Sequence, residues 1–224
     1  MAEETSTAGS PVDVMYLIHE ALRAEAARVE ALARDLDAGE SLQRFKLAFN
    51  SWATALVYHA DQEDRYMTGP LIRSLTSTDQ GPRTQKAADS ALTDEMKGTI
   101  VAQEEELHTE LVRAIEDVLM VLNDEIGKTS LIARTKQHLY SQVIALRIGQ
   151  EDHLETEEAL IVPIARERLT QRQQMEMARA LLIDAEAQDP RWPVDWITQH
   201  LAPSEQRVIA DLEARFREIP AAAD

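Results

Sequence analysis

Residues 59 to 70 read HADQEDRYMTGP, and they end a stretch whose side-chain pattern decides the fold. Large side chains before and within this segment recur at alternating steps of three and four residues, which is the spacing of one buried helix face. The stripe comprises Leu42, Phe45, Phe49, Trp52, Leu56, His59, Glu63 and Tyr66. Because five apolar groups lead into three polar ones on the same face, the stripe predicts a polar layer inside the protein.

The composition indicates long helices. The chain has 224 residues, of which 44% are hydrophobic and only seven are glycine. This suits one helical domain with a sizeable core and an extension. The absence of cysteine excludes thiolate sites and disulfides, so the ligands of any bound metal are nitrogen and oxygen.

The charge limits the partners. A net charge of −17 disfavours both nucleic acid and an anionic membrane surface, since each needs a basic protein surface. The sequence has no apolar run of the length that a membrane-spanning helix or a secretory signal requires. We therefore expect a cytoplasmic protein that binds neither nucleic acid nor membrane.

Four amphipathic segments separated by turn signals predict four long helices. They run over about residues 10–36, 41–67, 94–126 and 130–163, with Thr129 or Ser130 capping the fourth and Gly127 closing the third. Gly69-Pro70 is expected to end the second helix and Pro163 to end or kink the fourth. Residues 71–93 predict a crossing connection with at most one short helix. The fold class is thus all-α, an up-down-up-down four-helix bundle over residues 11–168.

The two ends of the chain are predicted to differ. Residues 1–10 are expected to be a disordered N-terminus. Residues 169–224 predict a C-terminal helical extension, with an amphipathic segment MEMARALLIDA, a turn DPRWPVDW and a last helix PSEQRVIADLEARFREI. Two roles of this extension stay open, namely covering one end of the bundle and forming a homodimer contact.

The second and fourth helices carry the same motif, HADQEDRYMTGP at His59 and HLETEEALIVP at His153. Each reads His, three residues, Glu, a second acid, and a proline ten or eleven residues after the histidine. Each is also preceded by a helix with one inward histidine, His19 in the first pair and His108 in the second. The chain is therefore predicted to be a duplicated two-helix unit.

The inward polar residues predict a metal centre. Residues four apart lie on one helix face, so each motif offers an imidazole and a carboxylate to one point. A single inward histidine is more often a hydrogen-bonded core residue, but several buried carboxylates without cations are prohibitive. No Lys or Arg lies near that layer of the stripes. A dinuclear metal centre resolves the cost, with candidate ligands His19, His59, Glu63, Glu104, His108, His153 and Glu157.

Three further residues are candidates for supporting this centre. Tyr66 lies one turn after Glu63 and is placed to hydrogen-bond it or reach the metal, and Tyr16 precedes His19 by three residues. For each tyrosine, a ring that closes the core with its hydroxyl at the surface is an equally good interpretation. Gln150 lies one turn before His153 and is placed to orient a ligand. His138 and His200 lie off this layer and are assigned no role.

This set of residues resembles the hemerythrin-like, or HHE cation-binding, family of four-helix bundles over about residues 11–165. The resemblance implies a non-haem di-iron site in which Glu63 and Glu157 bridge the metals. It also implies that His19 and His59 serve one ion, and His108 and His153 the other. Two iron ions are expected, with manganese or a mixed Fe/Mn pair as alternatives, because both metals accept imidazole and carboxylate ligands.

Two positions leave the ligand set open. Oxygen-carrying hemerythrins have a His-x-x-x-His pair on the third helix, and this chain has Glu104 in place of the first histidine, so Glu104 is a candidate seventh ligand. Glu158 is an alternative to Glu157, which is favoured because it lies on the inward stripe. A carboxylate in place of an imidazole favours ferric iron. Reactions that consume O2 or peroxide, or sensing by oxidation, are therefore favoured over reversible oxygen carriage.

The expected function is that of a di-iron protein that binds or reacts with O2, NO or peroxide. One alternative is a di-iron oxidase or peroxidase acting on a small organic substrate. Another is a non-enzymatic iron or redox sensor or store, in which the extension transmits the state of the site. Whether the protein is an enzyme stays open at this point.

Overall fold

The described residues of the protein, in a computed structural model, are 9–36, 41–76, 93–124 and 133–216. They are helical apart from short turns and contain no β-strand. A 3-10 turn, Pro11–Asp13, precedes the first α-helix. The α-helices are α1 (Val14–Asp35), α2 (Leu42–Glu63), α3 (Gly69–Thr76), α4 (Asp94–Asp124), α5 (Ala133–Thr156), α6 (Val162–Arg168), α7 (Gln171–Leu182), α8 (Trp192–Thr198) and α9 (Pro203–Phe216).

Helices α1, α2, α4 and α5 form the bundle. α1 packs against α2 and α5, and α4 packs against α5 and the segment that follows α2. The predicted stripe of α2 lies in the core, where Phe45, Phe49 and Trp52 are fully buried. The prediction of an all-α helical bundle is therefore confirmed.

The expected helix end at Gly69-Pro70 is wrong. A π-helical turn, Asp64–Thr68, follows α2, and α3 then continues through Pro70. The fourth bundle helix behaves in the same way, because a π turn, Glu157–Ile161, connects α5 to α6 across Pro163. Each proline lies in the first turn after the π turn, where its missing N–H costs little.

The π turn after α2 also explains why Tyr66 leaves the stripe. A π turn accommodates one residue more than an α turn, so the inward position moves on by one. Met67 is accordingly fully buried, whereas the side chain of Tyr66 is 42% exposed.

The C-terminal extension packs along the side of the bundle. α7 begins with a capping box formed by Thr170 and Gln173, and it contacts α2, while α8 contacts α1. The hydroxyl of Tyr58 donates to the Ala180 carbonyl at 2.6 Å. The extension thus packs against α1, α2 and the turn Pro11–Asp13 that precedes α1, and a homodimer through its outer surface stays a prediction.

Some sequence predictions lie outside the described residues. These are the disorder of residues 1–8, the connection over residues 77–92, and the roles of Gly127, Thr129 and Ser130. Among the helices that the structure describes, none has the length and apolar character needed to cross a membrane.

Candidate metal centre

Six inward side chains of the bundle meet in one buried layer. α1 supplies one histidine, α2 a histidine and a glutamate, α4 one histidine, and α5 with the start of its π turn a histidine and a glutamate. Each of these side chains is at most 4% exposed. They form two overlapping groups whose ligand atoms lie within 4.8 Å of one another: His19, His59, Glu63 and Glu157, and Glu63, His108, His153 and Glu157.

The two glutamates belong to both groups. Glu63 faces a histidine of each group, since Oε1 lies 3.2 Å from Nε2 of His59 and Oε2 lies 3.4 Å from Nε2 of His108. Glu157 does the same with its Oε2, which lies 3.3 Å from Nε2 of His19 and 3.5 Å from Nε2 of His153. This is the arrangement expected of carboxylates that bridge two ions.

The polar atoms in this layer fit a pair of metal ions. Both carboxylate oxygens of Glu63 and of Glu157 are buried without a hydrogen-bond partner among the described residues, as is Nε2 of His19, His59 and His108. Leaving so many buried polar atoms without partners would be costly, since nearly all such atoms in proteins are paired. Imidazole nitrogen and carboxylate oxygen together suit Fe, Mn or Zn.

Three of the four histidines also meet a carboxylate at their outer nitrogen, Nδ1. Such a partner fixes the ring and its tautomer and leaves Nε2 free for a metal. The pairs are His19 with Glu158 at 2.9 Å, His108 with Asp64 at 2.8 Å, and His153 with Glu104 at 3.2 Å. His59 is the exception, because no carboxylate of the described residues lies at ion-pair distance from its Nδ1, and this atom, like Nδ1 of His153, makes no hydrogen bond there.

Asp64 and Glu158 hold matching positions in the duplicated unit. Each directly follows a shared glutamate, and each lies in the π turn of its helix. Asp64 reaches His108 and Glu158 reaches His19, so each helix pair supplies an acid to the other pair. Sequence reasoning missed the contact of Asp64, although the acid after each motif glutamate was its signal.

Glu104 and Glu158 occupy a different kind of position from Glu157. Glu104 lies 3.2 Å from Nδ1 of His153 and belongs to neither group, and its role as a seventh ligand stays a prediction. Glu158 likewise lies behind His19, whereas Glu157 is shared by both groups.

The other predicted residues lie outside the two groups. Tyr66 makes no hydrogen bond to Glu63, whose oxygens have no partner among the described residues. Tyr16 is 37% exposed and contacts Arg166. Gln150 is fully buried and accepts a 2.6 Å hydrogen bond from Nε1 of Trp52, so it ties α5 to α2 just beside the centre. His138 is exposed and His200 lies in the extension, 3.7 Å from Glu25.

The layer carries strong electrostatic coupling in the metal-free state. Burial lowers the pKa of His19, but the nearby carboxylates of Glu157 and Glu158 outweigh it and raise the pKa to about 9. Burial is outweighed in the same way at His108, where Asp64 and Glu63 raise the pKa to about 11. Protons therefore occupy these imidazoles near neutral pH, and a metal ion must displace them.

The pKa values of the other ionisable groups in the layer are shifted by burial and by neighbouring charges. Burial and then the charge of His19 lower the pKa of His59 well below its usual value. Burial and the nearby Glu157 raise the pKa of Glu63. Burial also opposes ionisation of Glu157, but the positive charges of His153 and His19 win and lower its pKa.

A small cavity adjoins the centre on the side of the extension. Its volume is about 10 Å³, which is room for about one water-sized molecule. His59 forms part of its wall, together with apolar residues of α1 and α2 and with Trp192 and Trp196 of the extension. A larger groove of about 670 Å³ lies between α2 and α7, and none of the six side chains of the two groups lines it.

Comparison with known proteins gives one family match. A family model described as the hemerythrin HHE cation binding domain matches residues 10–165. This range includes both motifs and all six residues of the two groups. No curated protein and no solved structure gives a significant match to the chain. The match and the two buried groups together indicate a metal-binding protein.

Proposed function

The chain belongs to the hemerythrin HHE cation-binding family, and from this premise we propose that it is a non-haem di-iron protein that binds or reacts with O2 or a related small ligand, NO or peroxide. The observation that carries the proposal is the pair of buried groups that share Glu63 and Glu157. Two bound iron ions would supply the redox chemistry and the open coordination position that such ligands require.

The residues of the chain have distinct tasks in this proposal. His19 and His59 would hold one ion and His108 and His153 the other, and Glu63 and Glu157 would be available to both. The carboxylates at Nδ1 of three histidines keep the rings oriented so that Nε2 faces the proposed metal positions. The apolar core around the layer keeps bulk water away from the centre, which strengthens the electrostatic interactions within it.

The size of the adjacent cavity supports a small ligand. The space beside His59 is about 10 Å³ and suits a diatomic molecule or peroxide better than an organic substrate. An oxidase acting on an organic compound would use the larger groove, but the two groups do not line that groove. We therefore favour O2, NO or peroxide as the ligand, and a cytoplasmic location stays a prediction.

Iron is preferred over manganese in the proposal because of the family resemblance. Three carboxylates stand behind the histidines and two lie between the groups, so the centre has the hard, anionic character that stabilises ferric iron. The same donors accept manganese, which makes the metal identity a matter for measurement.

Metal analysis combined with spectroscopy tests the proposal. Full-length protein from iron-supplemented cells is expected to contain about two irons per chain, with near-ultraviolet absorption bands that bleach on reduction and return in air. His59→Ala should lower the iron content, whereas His138→Ala, which removes an exposed histidine outside both groups, should not. Less than one metal per chain after full loading, with unchanged thermal stability, would contradict the proposal.

A further inference from the structure

We infer that the two metal positions are unequal: the ion at His108 and His153 binds more tightly and loads first, and the ion at His19 and His59 is the exchangeable one. This inference rests on the proposed function, since it presupposes two ions. It assigns to Asp64, Glu104, Glu158 and Arg23 the task of setting the order.

The position at His108 and His153 has a carboxylate behind both imidazoles. Asp64 Oδ1 lies 2.8 Å from Nδ1 of His108, and Glu104 Oε2 lies 3.2 Å from Nδ1 of His153. In the described parts of the chain, neither carboxylate pairs with an arginine or a lysine. Both negative charges therefore act on the imidazoles and make them stronger donors to a cation.

The position at His19 and His59 has less such support. Glu158 lies 2.9 Å from Nδ1 of His19, but it also accepts a 2.7 Å hydrogen bond from Arg23, whose charge offsets that of the carboxylate. Arg23 is held in place by Glu151 at 2.8 Å. No carboxylate among the described residues lies at ion-pair distance from Nδ1 of His59, whereas Nδ1 of His153, which likewise makes no hydrogen bond, lies 3.2 Å from Glu104.

The difference in charge decides the order of affinity. The two bridging glutamates face both positions, so they do not distinguish them. The outer groups contribute two carboxylates at one position and, at the other, one carboxylate whose charge is partly offset by Arg23, which also pairs with Glu151. Loss of one such outer partner typically weakens metal binding by about 10- to 100-fold. A difference of at least this size is expected between the two steps.

The cavity beside the centre also supports weaker binding of the ion at His19 and His59. Of the four histidines in the two groups, His59 is the one found in the wall of the small cavity. The outer wall of this cavity is formed by Trp192, Trp196 and their neighbours in the extension. The weaker position is therefore also the one that adjoins a cavity, and the C-terminal extension forms part of the wall of that cavity.

Anaerobic titration of the metal-free, full-length protein with Co²⁺ tests the inference, because the visible absorption of Co²⁺ reports each binding step. Two resolved steps are expected for the unmodified protein. Glu104→Gln should weaken the first step by about 10- to 100-fold so that the two steps approach each other. Glu158→Gln should leave the first step unchanged and weaken the second.

Glu30→Gln is the matched control, since Glu30 forms an ion pair between α1 and α5 with Arg147 and does not touch a histidine of the site. Should Glu104→Gln fail to fold, Asp64→Asn tests the same metal position, at His108 and His153. The side chain of Asp64 is partly exposed, so its replacement disturbs the core less. Two ions of equal affinity, or weakening of the first step by Glu158→Gln, would overturn the inference alone. Fewer than two Co²⁺ per chain would overturn the di-metal proposal as well.

Discussion

Asp64 Oδ1 lies 2.8 Å from Nδ1 of His108, a residue on the opposite helix pair. The corresponding acid of the other motif, Glu158, makes the reciprocal contact with His19. The two halves of the duplicated unit are therefore joined through the groups that orient the metal-binding histidines. The contacts that orient the metal-binding histidines thus also link the two helix pairs of the bundle.

Replacing Glu63 should change the stability of the metal-free protein and its metal binding in opposite directions. Glu63 is buried, and its oxygens have no partner among the described residues. Glu63→Leu should raise the stability of the metal-free protein by about 1 to 3 kcal/mol, because burial raises the pKa of this acid and an apolar side chain removes the cost of its buried, unpaired oxygens. The same variant should lose both metal ions. Urea unfolding and metal analysis of the one sample measure the two effects.

Trp52→Ala provides the contrasting case on the same helix. Trp52 is fully buried and donates a hydrogen bond to Gln150. Its truncation should destabilise the metal-free protein by about 3 to 5 kcal/mol. Equal effects of the two substitutions on the stability of the metal-free protein would contradict the view that buried Glu63 destabilises the bundle.

The pKa values of the histidines predict that metal-free stability depends on pH. The folded state raises the pKa of His19 to about 9 and of His108 to about 11, from an ordinary value of 6.5. Their contribution to stability is thus complete below pH 6.5 and is lost as the pH rises through 9 and then 11. The free energy of unfolding of the metal-free protein should fall between pH 6.5 and 9. His19→Gln should flatten this decline.

Metal binding should follow the opposite trend over the same range. The ion displaces protons from His19 and His108, so its affinity should rise with pH. Calorimetric titration with Mn²⁺ in two buffers of different ionisation enthalpy measures the protons released. A value near zero at pH 7 would show that these imidazoles are already neutral before the metal binds.

The extension should control how fast the metal leaves. Trp196 forms part of the wall of the cavity at His59, and its Nε1 donates to Ser51 on α2 at 2.8 Å. Trp196→Ala should therefore speed the transfer of one of the two ions to a chelator. Val208→Ala alters an exposed residue of α9 and serves as the control. Equal release rates for both variants would argue against a closing role of the extension.

The stripe of α2 shows which buried residues the sequence periodicity predicts correctly and where it fails. Its residues from Phe45 to Glu63 are buried as predicted, and the six residues that make up the two groups were all among the candidates indicated by the spacing. The pattern failed at Tyr66, because a π turn changes the period by one residue, and no feature of local composition signals such a turn. The helical continuation through Pro70 escaped prediction for the same reason.

Contacts between distant segments were harder to predict. An inward glutamate on α4 could hold a metal or support a histidine, and only the relative positions of α4 and α5 place Glu104 behind His153. The docking of the extension against α1 and α2 likewise depends on tertiary packing. Its apolar residues predicted a buried face, but an amphipathic pattern does not identify the partner of that face.

Anomalous X-ray diffraction from iron-loaded crystals is the most direct test of the central claim, that two ions share Glu63 and Glu157. Data collected at the iron edge should give two peaks in the buried layer, about 3.5 to 4 Å apart. One peak should be flanked by His19 and His59 and the other by His108 and His153. A single peak, or peaks outside this layer, would contradict a dinuclear centre built from these residues.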